Sequence, residues 1–126
     1  MNYINICIAI IVAYALGALW YSPVLFAKQW KKLAKLKGKI SMSAKDVVQS
    51  ILLTIIMVVA LAFALDYAYI NTVLDAGIAA IIVWIGFIVP VMYSPVIWKK
   101  QDIKLFWLES VHYLVVFVVV ALILVW

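Results

Sequence analysis

Four uninterrupted apolar runs, at about residues 4–25, 47–65, 76–98 and 103–126, set the terms for this chain. A helix needs about 20 apolar residues to cross a hydrocarbon core, and each run is close to that length. Lipid offers backbone amides no partner, so helices, which pair them within the segment, are the expected form. Strands of a transmembrane barrel would alternate in polarity and be about half as long; these runs do not alternate. Composition agrees. Of 126 residues, 71% are hydrophobic, more apolar surface than a soluble domain of this size can bury. We therefore expect an all-α polytopic membrane protein with four transmembrane helices in one domain, 1–126, and a basic loop at 26–46.

The lysines predict orientation. All ten basic residues are lysine, and the net charge is +5. Lys28, Lys31, Lys32, Lys35, Lys37, Lys39 and Lys45 follow the first run; Lys99, Lys100 and Lys104 follow the third. The segment between the second and third runs has none. With four spans both lysine loops share one side, and the positive-inside rule makes that side cytoplasmic and both termini external. The first run has no basic segment before it, so it is expected to be an anchor rather than a signal peptide. Trp20, Tyr21, Trp30, Trp98 and Trp107 are expected in the inner aromatic belt, and Tyr3, Tyr67, Tyr69 and Trp126 in the outer one.

The first loop has a pattern of its own. Phe26, Trp30, Leu33 and Leu36 recur at helical spacing among lysines, and Gly38 offers a stop. This predicts a short amphipathic interfacial helix, with Lys28, Lys31, Lys32 and Lys35 toward anionic lipid head groups. The plainer alternative is that the lysines only set topology. Ser43 or Ser41 is suited to cap the next helix, and Asp46 suits its positive end. Cys7 is the single cysteine; it reads as a small hydrophobe packed inside.

The junction 21-YSPVLFAK-28 returns as 93-YSPVIWKK-100. Each copy leads through lysines to an aspartate near the start of the next run, Asp46 or Asp102. The halves read as two hairpins in a parallel repeat, with its axis along the membrane normal. Proline lacks an N–H and clashes with the carbonyl four residues back, so Pro23, Pro90 and Pro95 are the candidate kinks. Pro90 is the deepest. Kinks at matching places in two halves point to a binding site in repeat-built transporters; the alternative is a bend where a helix leaves the membrane. Ala9, Ala13 and Gly17, and likewise Ala60, Ala64 and Ala68, are small-residue stripes that let helices approach closely.

Glu109 and His112 are the residues lipid tolerates least. Three apart in 105-LFWLESVHYL-114, they share a helix face. An ionisable group at such depth faces the bundle interior or a water-filled cavity, paired. Tyr21, Tyr93, Ser22 and Ser94 are expected at similar depth as donors around the pair, with Ser50, Thr54 and Ser110 nearby. The functional reading is a proton-titrating or ligand-binding site. The structural alternative is an internal pair that fixes helix register.

Other chemistry finds no support. One His and one Glu make no metal site in a monomer. A dimer could place two His112 side chains on a haem iron, a minor reading; otherwise no cofactor is expected. No phosphate loop, nucleophile elbow or HExxH occurs, so the chain is not expected to be an enzyme. No nucleic-acid partner is expected, for want of a soluble domain to carry a binding surface.

The stretch 19-LWYSPVLFAKQW-30, with 92-MYSPVIW-98 and 111-VHYL-114, resembles the bacterial membrane proteins grouped as domain of unknown function 1761. The similarity covers nearly the whole chain. The matching residues are Trp20, Tyr21, Ser22, Pro23, Lys28, Trp30 and His112. The resemblance implies a four-span bacterial membrane protein, hence the inner membrane, and no particular activity; the lysines after Leu33 are denser than the family suggests. The leading expectation is a small binding or permeation unit for a small solute or proton, working as a dimer. The alternative is an accessory membrane subunit or lipid-interacting protein without transport.

Overall fold

In the computed structural model, which describes residues 2–37 and 42–126, four helical stretches are long and apolar enough to span a membrane. They are α1 (Tyr3–Trp20), α3 (Ala44–Tyr67), the stretch from α4 (Val73–Val83) through a π-helical turn (Trp84–Ile88) into α5 (Val89–Trp98), and α6 (Ile103–Val125). A short helix, α2 (Ala27–Leu33), follows α1. The described residues contain no strand. Gly38, Lys39 and Ser41, named above as helix stop, lysine-loop member and possible cap, lie outside the described residues.

Helix limits follow local chemistry. Asn2 Oδ1 accepts from the Ile4 amide at 2.9 Å and starts α1. Ser43 and Asp46 form a reciprocal capping box on α3, each bond 3.2 Å. Thr72 caps α4 and Asp102 caps α6. Asp46 and Asp102, matched in the sequence alignment, thus hold different positions, one inside the first turn and one at the cap. At the other ends, α2 and α3 close with a left-handed residue after the cap, Lys35 (φ 58°) and Tyr69 (φ 57°). Leu36 N–H reaches the Lys31 carbonyl at 2.9 Å and Ile70 N–H the Leu65 carbonyl at 2.9 Å, the closing bonds of a Schellman turn. The α2 stop therefore falls at Lys35.

The two Tyr-Ser-Pro junctions are built differently. After α1, Ser22 takes the Leu19 carbonyl with both its amide (3.1 Å) and its hydroxyl (2.6 Å). That carbonyl is no longer available to a further helical turn, and Pro23 stands beyond the helix, kinking nothing. Pro95, by contrast, lies inside α5, which continues to Trp98. Pro90 follows the π-helical turn, where the Val89 amide bonds back to the Trp84 carbonyl, five residues away.

α6 is the hub, in contact with α1, α2, α3, α4 and α5. Tyr14 of α1 meets Ser50 of α3, Gly17 meets His112, and Gly77 of α4 meets Leu122 of α6. Hence α1 and α4–α5 run one way and α3 and α6 the other, and both lysine segments share one end. Small residues line the flanks of α6: Ala9 (0% exposed) and Ala13 (4%) from α1, Ala76 and Ala80 (both 0%) from α4. Between helices in lipid, such close backbone approach replaces the hydrophobic effect as the main attraction.

The expected α3 stripe is corrected. Ala60, Ala64 and Ala68 are exposed, and Val58, Leu61, Ala62 and Leu65 face the core instead. Cys7 is exposed on α1 rather than packed inside. The outer surface is apolar, with Ile11, Phe63, Phe87 and Val91 each more than 60% exposed, as suits helices solvated by lipid chains.

Candidate functional site

His112 sits on the face of α6 that meets the end of α1. It is 8% exposed, and neither ring nitrogen has a hydrogen-bond partner among the described residues. Gly17 makes room for it. A Cβ at that position would lie 3.4 Å from Nε2. One turn earlier on α6, the Leu108 carbonyl accepts the indole N–H of Trp20 at 3.1 Å, which fixes the α1 exit against the same face. Three aromatic rings then surround the imidazole: Tyr21 edge-on with centroids 5.2 Å apart, Tyr113 at 4.9 Å and Trp20 at 5.9 Å. Trp20, Tyr21 and Trp30 are half-buried at the end of α1 and on α2.

Beside His112 lies a cavity of about 730 Å³. Its walls come from α1 (Tyr14, Gly17), α3 (Ser50, Thr54, Met57) and α6 (His112, Tyr113), with Trp30 and Lys31 of α2 at one side. The wall is mostly apolar. Tyr14 and Ser50 share a hydrogen bond of 2.9 Å across it. The size suits a drug-sized molecule, and pockets of this kind use a few placed polar groups in an apolar shell.

Glu109 is partly buried one turn before His112. Glu109 has Trp30, Tyr21 and Tyr113 as polar neighbours. It does not hydrogen-bond to His112, whose nitrogens are both free, so the expected Glu109–His112 pair is not formed. The Trp30 ring of α2 packs at a tilt against Tyr21, with centroids 4.9 Å apart.

The Tyr-Ser-Pro copies also part company here. The family model described as protein of unknown function DUF1761 matches residues 4–125. The chain belongs to this family. No curated protein and no solved structure matches it. In this DUF1761 chain the first motif supplies the site: Tyr21 borders the cavity, Pro23 edges it, and Ser22 spends its hydroxyl on Leu19. The second motif does not. Tyr93 packs edge-on to Phe106 at 5.1 Å, Ser94 is exposed on α5, and Glu109 and His112 are turned toward α1 and α2. The expected cluster of Glu109, His112, Tyr21, Tyr93, Ser22 and Ser94 is thus reduced to His112 and Tyr21 on the cavity, with Glu109 beside it.

Gly17, Tyr14 and Tyr113 were not singled out for the site from sequence. Gly17 was read only as a packing residue. Tyr113 had a signal available, since it follows His112 directly and lies four residues after Glu109, on the adjoining helix face.

Proposed function

We propose that this membrane protein binds a small, largely apolar molecule in the cavity between α1, α2, α3 and α6, with His112 as its polar anchor. The observation that carries this reading is the pair of unpartnered nitrogens on a side chain only 8% exposed, set against a cavity of about 730 Å³. A buried polar atom left without a partner costs about 1–3 kcal/mol; both nitrogens are closed off as the ring stands, so a bound molecule removes that cost when the imidazole turns toward the cavity. Catalysis is not part of the reading, because among the described residues no hydroxyl or thiol is hydrogen-bonded to His112. A Glu109–His112 proton relay loses its support with the pair unformed, so binding is favoured over proton permeation.

A second reading concerns the lysine end. Lys28, Lys32 and Lys35 are exposed on and after α2, while Trp30 and Leu33 are partly buried, an amphipathic arrangement that supports contact with anionic lipid. By the positive-inside rule we place this end in the cytoplasm of a bacterial inner membrane, with both termini outside. We also retain the homodimer and the parallel repeat as proposals, the latter with its second motif diverged.

Native mass spectrometry of the protein released gently from membrane tests the binding reading. A reproducible non-lipid mass on the wild type, absent from Met57→Trp, which fills the cavity, is the expected result. A wild type released bare, or with lipid alone, overturns it and leaves the lipid-contact reading.

A further inference from the structure

The cavity has a charged end and an apolar end. Tyr21, Trp30 and Lys31 stand on its wall at the lysine-bearing end of the bundle, and Ala13, Met57 and Val116 stand deeper. Between Ala13 and Tyr21 the α1 axis rises about 12 Å. The hydroxyls along the way are already engaged. Ser50 donates to the Val47 carbonyl at 2.8 Å, Thr54 donates to the Ser50 carbonyl at 3.0 Å, and Tyr14 shares a bond of 2.9 Å with Ser50. The deep part therefore presents an apolar surface, and Met57 adds a side chain that adapts to what lies against it.

Lys31 is the charged side chain on this wall, and among the described residues no carboxylate lines it. Lys31 is also set apart within α2: Lys28 and Lys32 are exposed, whereas Lys31 is partly buried. An ammonium beside an apolar space attracts an anion there and repels a cation. Glu109 stands beside the cavity but off its wall, and α2 sets three lysines against that one acid. Tyr21 joins the Lys31 end to His112. Its ring centroid lies 4.9 Å from that of Trp30, the residue before Lys31, and 5.2 Å from the imidazole. Leu53 lines the cavity and is also 68% exposed on α3, so the space opens sideways to lipid.

Building on the binding reading above, we propose that the occupant is a long-chain carboxylate, one anionic head on one apolar chain. Its head meets the Lys31 ammonium and, with the imidazole turned, the N–H of His112. Its chain lies along Ala13, Met57 and Val116. One lysine on the wall matches a single charge better than a phosphate monoester, which carries about −1.5 to −2 at neutral pH. A cavity of about 730 Å³ is of drug size, room for one chain and not for the two of a bilayer phospholipid. The molecule enters from lipid past Leu53, with its head at the level of the lysines. In the native spectrum it has the mass of a one-chain acid, apart from the two-chain lipids around the protein.

The full chain in phosphatidylcholine nanodiscs is titrated with dibromostearate, whose bromines quench tryptophan, since Trp30 stands on the wall. The titration is run at about pH 9, where the acid is ionised even in lipid and lysine is still charged. Palmitate, hexadecanol and hexadecyltrimethylammonium, alike in chain length, then compete for the site. Quenching that saturates, and that palmitate alone relieves, is expected. Lys31→Gln should weaken dibromostearate binding about tenfold, the loss of a charged contact, and Lys31→Arg should keep most of it. Lys99→Gln removes a charge from the exposed lysine segment after α5 and should change binding by less than about twofold. Equal effects of Lys31→Gln and Lys99→Gln overturn the proposal and leave only a general attraction of anions to this end. Equal relief by hexadecanol, or relief by the ammonium, overturns the anionic head while leaving the cavity a binding site. Quenching that never saturates overturns the long-chain occupant. A reproducible non-lipid mass in the native spectrum would then still uphold the binding reading, and its absence would end both.

Discussion

Gly17 of α1 stands directly against His112 of α6: a methyl group on the glycine would lie 3.4 Å from Nε2. That distance is ordinary van der Waals contact, so alanine fits where anything larger does not. The main chain of α1 comes this close to the imidazole because no bulky side chain stands between them.

Gly17→Ala should therefore leave the fold intact and raise stability by up to about 1 kcal/mol, the helix-propensity gain of alanine over glycine. The same methyl takes space from the cavity wall beside His112, so the co-released mass should fall. Gly17→Leu should instead drive α1 from α6 and cost about 1–3 kcal/mol through overpacking. Unfolding in mixed micelles gives both numbers. Equal behaviour of the two variants would mean that α1 and α6 are not in contact at this point.

His112→Phe tests the unpartnered nitrogens. In protein stripped of small molecules, the phenyl ring keeps the aromatic packing with Trp20, Tyr21 and Tyr113 and removes two buried polar atoms. Stability should rise by about 1–3 kcal/mol, while binding is lost. A residue whose replacement helps the empty protein and harms the loaded one is held for function. A fall in stability in the empty state would show that the imidazole has a partner after all.

How far the sequence reveals this arrangement differs from helix to helix. The four spans were legible because about 20 consecutive apolar residues admit little else. The start of α3 was legible as Ser43 or Ser41, with Asp46 at its positive end; the Ser43–Asp46 spacing of a capping box separates the two. The α3 face was not: Ala60, Ala64 and Ala68 repeat as a packing stripe should, yet Val58, Leu61 and Leu65 are buried, and an all-apolar helix carries too little contrast to say which face turns inward. For the same reason His112 was found by its cost in lipid, whereas its actual neighbours depend on the rotation of α1 and α6. The second Tyr-Ser-Pro misled, because motif identity says nothing about whether the helix ends there. Ser22 closes on Leu19 in one copy, and α5 runs on past Pro95 in the other.

That difference gives a paired test. Pro95 denies the Val91 carbonyl its helical donor, and Val91 is 70% exposed. Pro95→Ala restores the bond and should stabilise the protein, by up to about 3 kcal/mol. Pro23 has no helical bond to restore, so Pro23→Ala should change stability by less than about 0.5 kcal/mol. Thermal unfolding of the two variants side by side decides. Equal gains would make both junctions intrahelical.

α6 is tied on two sides by tryptophan. Trp20 gives its indole proton to the Leu108 carbonyl at 3.1 Å, and Trp84, in the π-helical turn, gives its own to the Ser110 carbonyl at 2.6 Å. Two residues of helix turn about 200°, so the two carbonyls belong to opposite flanks, one toward α1 and one toward α4. Each carbonyl sits within α6, where a helical bond satisfies it without the indole. Replacing either tryptophan by phenylalanine should then cost only about 1 kcal/mol. The functional outcomes should differ. Trp20→Phe frees the α1 exit beside His112 and should weaken binding. Trp84→Phe acts on the far flank and should lower stability alone. Loss of binding in Trp84→Phe at unchanged stability would move the site to the α4 side of α6 and undo the assignment of the cavity to α1 and α3.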